Sequence, residues 1–207
     1  MNPFFTESLW PGLSAWVLLY ISDYSLTLHC ARLYQERVRE KVALEGSYEI
    51  TPYYQRDIDR LKRISPRFLA AIAGIVGLLA LIHYGTAGTP VGGMTYEFFL
   101  GVLILSQLAV HVRHLRNVVT FHIGFGEDGV RGHIEYPRWL TLRTSASELW
   151  GFAGLYLVTA AMVGSVFLLG GSFACAAIAR KHAVFARKKV AAGGPGEGPP
   201  RTYRATN

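Results

Sequence analysis

Two cysteines, no Lys or Arg before Arg32, and a charged fraction of only 17% set the first limits on this 207-residue chain. Cys30 and Cys175 stand in separate apolar runs, so they offer no disulfide framework of a small secreted domain. A phosphate-binding loop is missing as well. Gly124-x-Gly126 is too short for one, is not followed by Lys-Ser/Thr, and reads as a turn. No nucleophile arrangement stands out, so an enzymatic reading is not favoured. The first apolar run has no basic residues ahead of it, unlike a cleaved signal, and is expected to be retained. Lys and Arg are absent again from 68–112 and from 144–179.

Those gaps are filled with apolar residues. The chain is 51% hydrophobic, its mean hydropathy is above zero, and the apolar residues come in blocks. Four blocks reach the ~20 residues that cross a hydrocarbon core: Leu9–Cys30, Phe68–Tyr84, Phe98–His114 and Leu149–Ala179. The expected fold is an all-α integral membrane protein with four transmembrane helices and amphipathic cytoplasmic extensions. A single membrane domain takes up 1–190, and the Gly- and Pro-rich tail 191–207 is expected to be disordered.

Boundary signals refine this picture. Pro11 fits a first helical turn entered from Ser8 or Leu9, and Trp10 and Trp16 suit an interfacial aromatic belt. Past Cys30, Val38, Val42 and Leu44 alternate with charges, which predicts an amphipathic extension stopped at Gly46. Thr51-Pro52 reads as the start of a short helix running to about Ile64, and Ser65-Pro66 repeats the device for the second span. Ala70, Ala73, Gly74 and Gly77 give that span a small-residue face for close helix contact. Glu97 opens the third span. Val130–Tyr136 predicts a short strand or hairpin arm, and Pro137–Arg143 a brief interfacial helix. Ser145 to Glu148 has capping-box spacing for the fourth span. The last block, longer than a bilayer needs, is expected to tilt, protrude or break near Gly170-Gly171.

The net charge of +7 does not predict nucleic-acid binding, because the basic residues lie between the spans and in the tail. Orientation and anionic lipid headgroups account for them, with Arg113 and Arg116 expected to snorkel to headgroups. Nine Lys or Arg from Arg32 to Arg67 and five from Arg113 to Arg143 place both segments in the cytoplasm. With four spans, both termini then lie outside, against seven Lys or Arg from Arg180 onward. A hairpin at Gly170-Gly171 would return the tail to the cytoplasm. The expected location is a cell membrane, multi-pass, with a second membrane protein or another copy of the chain as candidate partners.

One ionisable residue lies well inside the first span. Asp23, Thr27, Cys30 and Tyr34 share one helical stripe; Gln107, His111 and His114 form another on the third span. At ~1.5 Å per residue, Asp23 and His111 both lie about 20 Å from the outer ends of their helices, which predicts an Asp23–His111 pair between facing stripes. The blandest consequence is a structural polar core, in a membrane component that holds its own helices or a complex together. The same pair could serve a proton or small-cation transporter or channel. A third reading is haem or metal ligation through His29, His111 and His114, with no cofactor favoured. A lipid-modifying site using Glu49, Asp57 and Asp59 is the remaining alternative. His83, His122 and His133 read as facing water or headgroups.

Asp23-x-x-x-Thr27, then Gly46 and Glu49-x-x-Pro52, resembles a bacterial family of small multi-span membrane proteins of unknown function. Where that family's pattern has Glu-x-Asn-Pro, this chain has Glu49-Ile-Thr51-Pro52. The resemblance covers about the first 80 residues. It implies a bacterial source and functional weight on Asp23 and Glu49.

Overall fold

The computed structural model describes residues 7–89, 91–125 and 129–192. Among these residues the protein is all-α apart from one short two-stranded ladder. Helix α1 spans Leu9–Leu33; the Ser8 hydroxyl accepts from Trp10 N, and Pro11 falls in the first turn. The helix widens into a π-helical stretch, Tyr34–Val38, and the chain then turns into strand β1, Val42–Leu44. The amphipathic extension predicted to reach Gly46 is therefore cut short. Tyr34 explains the change locally: its hydroxyl donates to Val42 O at 3.2 Å and accepts from Leu44 N at 3.0 Å, holding the strand back against the helix. Gly46, at φ +88°, supplies the left-handed turn that follows.

The helix expected from Thr51 to Ile64 is only α2, Gln55–Asp59. Upstream, Thr51 N donates to Glu49 Oε1 instead of starting a helix. Downstream, Leu61 adopts φ +49° and ends the run. Helix α3, Pro66–Gly85, starts where Ser65-Pro66 predicted, with Ser65 Oγ accepting from Phe68 N. Helix α4, Gly92–Val119, begins before Glu97 and ends in a π-helical stretch, Thr120–Gly124. Strand β2, Ile134–Tyr136, pairs in parallel with β1, Val42 opposite Ile134 and Leu44 opposite Tyr136. Residues 126–128 of the expected turn, and 193–207 of the expected disordered tail, lie outside the described residues.

The last apolar block holds the main correction. It is two helices, α5 at Arg138–Val163 and α6 at Val166–Ala192, packed together along their length. The break falls at Gly164-Ser165. Gly164 takes the left-handed C-terminal position at φ +67° and donates to Ala160 O, while Ser165 Oγ accepts from Leu168 N to start the next helix. Gly170 and Gly171 have a different task. A Cβ at Gly170 would collide with Phe98 O, one at Gly101 with Phe167 O, and one at Gly171 with Leu105, so these glycines let α4 and α6 touch backbone to backbone. No such contact uses Gly74 or Gly77, which face open space on α3. Ser145 and Glu148 lie inside α5 rather than at its start, because Pro137 already occupies the N-cap position.

Helix α4 is central, flanked by α1 and α6, with α5 outside α6 and α3 on the edge against α1 and α4. At one end Leu13, Trp16, Leu79, Leu100 and Ile104 form an apolar cluster. Toward the other end, polar side chains enter between the helices. Among the described residues three helices are long and apolar enough to cross a membrane: Pro66–Gly85, the helix Gly92–Gly124 including its π-helical end, and Arg138–Val163.

Candidate functional site

The polar stripe of α1 faces α4, but one position away from the expected pairing. Asp23 Oδ1 lies 3.3 Å from His114 Nε2, and His111 is turned elsewhere. Thr27 Oγ1 is 3.1 Å from the same His114 Nε2, and Cys30 Sγ donates to His114 O at 3.6 Å. His111 Nε2 meets Ser22 Oγ at 2.6 Å, and its Nδ1 lies 2.8 Å from Gln107 O. The reason is directional. Helical side chains lean toward the N-terminus of their own helix. The long imidazole of His114 comes back to the level of the shorter Asp23, and that of His111 reaches one position higher, to Ser22.

The remaining sequence candidates separate. His29 is exposed, with its ring 6.3 Å from that of His122. His29, His111 and His114 thus have different neighbours, and among the described residues no three His, Cys, Asp or Glu side chains gather as metal ligands. Arg113 does not snorkel outward; it is half-buried and donates to Ser145 Oγ at 2.6 Å. Arg116 is exposed and ion-paired to Glu148. The acids proposed for a lipid-modifying site are also apart. Asp59 accepts from Ser47 Oγ, and Asp57 accepts from Ser65 Oγ at 2.6 Å and sits 3.1 Å from Lys62 Nζ. The Ser65 bond, and next Lys62, hold the Asp57 carboxyl below its ordinary range.

Two cavities meet at this polar end. The first, about 220 Å³, lies between α1, α4 and the loop before α2, and its wall includes Asp23, Thr27, Glu49, Gln107, Arg113 and His114. Aromatic rings close one side: Tyr20 and Tyr24 stack on Phe68, and the Tyr20 and Tyr54 hydroxyls are 2.8 Å apart. Asp23 Oδ1, Gln107 Oε1 and His114 Nδ1 are buried without a hydrogen-bond partner. At 3.3 Å the His114 Nε2–Asp23 contact has ion-pair distance without hydrogen-bond alignment. The second cavity, about 340 Å³, lies on the far side of His114 and shares Glu49, Ile50, Arg113 and His114 with the first.

A positioned loop forms the floor of both. The Arg138 guanidinium donates to the carbonyls of Ser47, Glu49 and Ile50 at 2.7, 3.0 and 3.1 Å, and Gln55 Nε2 adds a bond to Glu49 O. Glu49, singled out by the resemblance, thereby reaches the same cavity as Asp23. Sequence reasoning missed Tyr20, Tyr54, Arg138 and His182, whose Nδ1 lies 3.0 Å from Ser145 Oγ and which also lines the first cavity. Tyr20 had a usable signal, since it precedes Asp23 on the same helical stripe. Arg138 and His182 were hidden among basic residues that topology already explained. No family model, curated protein or solved structure matches the chain.

Proposed function

We propose that this protein is a multi-pass membrane protein of five spanning helices, whose Asp23–His114 core is a proton- or small-cation-binding site open to the basic side. The membrane reading is supported by the three membrane-length apolar helices and by the large apolar side chains they leave exposed, Leu69, Leu81, Leu155 and Met162 among them. The break at Gly164 supports five spans. If α1, α3, α4, α5 and α6 alternate in direction, every Lys and Arg from Arg32 to Arg67, from Arg113 to Arg143 and from Arg180 onward falls on one side. The segments on the other side, before α1, between α3 and α4, and at Gly164-Ser165, contain none. That is the positive-inside pattern, with the N-terminus outside and the tail cytoplasmic. A bacterial inner membrane fits the resemblance to the bacterial multi-span family.

One observation carries the site reading. Asp23 Oδ1, Gln107 Oε1 and His114 Nδ1 make no hydrogen bond around a cavity large enough for water. Polar groups that only glue helices are normally satisfied by each other. Two acceptor oxygens that receive no hydrogen bond, beside an imidazole, instead suit an occupant that carries protons or positive charge. Beyond the site, Leu13, Trp16, Leu100 and Ile104 close the way to the other face. On this reading the site is reached from the basic side. In proteoliposomes with an imposed pH gradient, wild type should carry proton or cation flux, and a folded Asp23→Asn variant should lose it. Absence of flux in wild type under every cation gradient tried would refute the transport reading.

A structural reading has an observation of its own. Ser22–His111, Thr27–His114 and Cys30–His114 O pin α1 to α4 at successive levels. On that reading the protein is a structural or complex-forming membrane component.

A further inference from the structure

The larger cavity has a different character from the Asp23 site. It lies between the π-helical end of α1, the β1–β2 ladder and the last turns of α4. Its volume falls within the range of small-ligand pockets. Much of its wall is apolar or aromatic, including Val38, Val42, Leu44, Tyr48, Phe121 and Tyr136. The Tyr48 phenol is pushed well up by burial, so it stays neutral there.

Charge in this chamber is unevenly satisfied. Arg116 is paired with Glu148. The Glu49 carboxylate accepts the Thr51 N–H. Arg113 has given one N–H to Ser145, and among the described residues no carboxylate lies within ion-pair distance of it. A guanidinium has five N–H donors in a planar fork that matches a carboxylate or phosphate. A half-buried cation without a counter-charge is costly to hold. Asn117, Thr144 and Ser145 add neutral polar groups near it.

We infer that this chamber binds an amphiphile with one anionic head, a carboxylate or a phosphate on an apolar chain, with the head at Arg113 and the chain along the aromatic wall. A free inorganic anion would leave the apolar wall uncovered, and a neutral chain would leave Arg113 unpaired. The site does not depend on proton or cation exchange at Asp23.

The test uses the full chain purified in a neutral detergent and titrated with laurate, dodecyl phosphate, dodecanol and inorganic phosphate. Laurate and dodecyl phosphate should bind saturably and compete with each other. Dodecanol and inorganic phosphate should bind at least tenfold more weakly, on the order of the loss of one charge-assisted contact. Arg113→Gln should weaken dodecyl phosphate at least tenfold, and Arg113→Lys less. Leu44→Trp, which fills the chamber and leaves the Arg113–Ser145 bond in place, should weaken it as much. Phosphatidic acid in nanodiscs identifies the source. If it displaces dodecyl phosphate the natural ligand is a bilayer lipid; if only laurate does, it is a soluble single-chain amphiphile, and either result upholds the site. Equal binding of dodecanol and dodecyl phosphate by wild type would overturn the inference, whether or not the variants fold. So would unchanged binding by folded Arg113→Gln and Leu44→Trp.

Discussion

His114 has one ring nitrogen between Thr27 and Asp23 and the other unpartnered between two cavities, with a side chain only 7% exposed. Replacing it with Ala leaves the Asp23 carboxyl without its imidazole neighbour and Thr27 without its partner. The expected loss in thermal or denaturant unfolding is about 1–3 kcal/mol. His111→Ala removes one interhelical bond, to Ser22, and should cost about 0.6 kcal/mol, the usual value for such a bond in a membrane. Equal losses would place the Asp23 partner wrongly. Asp57 gives a pH test outside the spans. Its folded-state pKa is lowered, so the stability it adds is present above the ordinary carboxyl range and is lost as pH falls through the lowered value. Wild type should therefore melt above Asp57→Asn at neutral pH, and the gap should close in acid. A gap constant with pH would contradict the Ser65–Asp57–Lys62 arrangement. Much of this site was legible in sequence: Asp23, Thr27, Gln107 and His114 were placed on facing stripes. What could not be read was which of His111 and His114 meets Asp23, because spacing fixes the face but not the lean of a long side chain. Nor could the sequence show that Arg113 turns inward, since a hydroxyl about two turns into another helix captures it.

At the scale of elements, close helix contact is made by glycines other than those on the most conspicuous small-residue stripe. Gly101→Ala and Gly170→Ala push a methyl into a facing carbonyl and should destabilise by about 1–3 kcal/mol, the usual range for overpacking. Gly74→Ala and Gly77→Ala meet nothing within 4 Å and should leave the melting temperature unchanged or raise it, as helix propensity favours Ala. Destabilisation at Gly74 comparable to that at Gly101 would contradict the packing of α3. The elements themselves were unevenly legible. Ser65-Pro66 reads correctly because a cap and a Pro at N1 act locally. The β1–β2 ladder does not, because its register joins segments about ninety residues apart and rests on Tyr34 bridging Val42 and Leu44. The last apolar block counts as one span in the sequence, with any break expected at Gly170-Gly171, because its composition is otherwise uniform. Its break depends on a single left-handed residue followed by a serine cap.

At the scale of the whole molecule, under the proposed five-span arrangement that break decides which side the tail is on. Single cysteines at Ser165 and Lys189, in a chain with Cys30 and Cys175 replaced by Ala, should react with an impermeant maleimide from opposite faces of intact vesicles. Lys189 should share its face with a cysteine at Arg60. Labelling of both ends of α6 from one face would remove the five-span arrangement. The two cavities lie toward the basic face, and the cluster of Leu13, Trp16, Leu100 and Ile104 separates them from the other. Access to Asp23 should therefore be one-sided. The most direct measurement is the infrared carboxyl band of Asp23 in oriented proteoliposomes, isolated as wild type minus Asp23→Asn, while pH is stepped on one side at a time. The band should rise when pH falls on the face carrying the Arg32–Arg67 segment and stay flat when it falls on the other. A band that responds only from the opposite face, or no band that Asp23→Asn removes, would contradict a proton-accessible Asp23–His114 core.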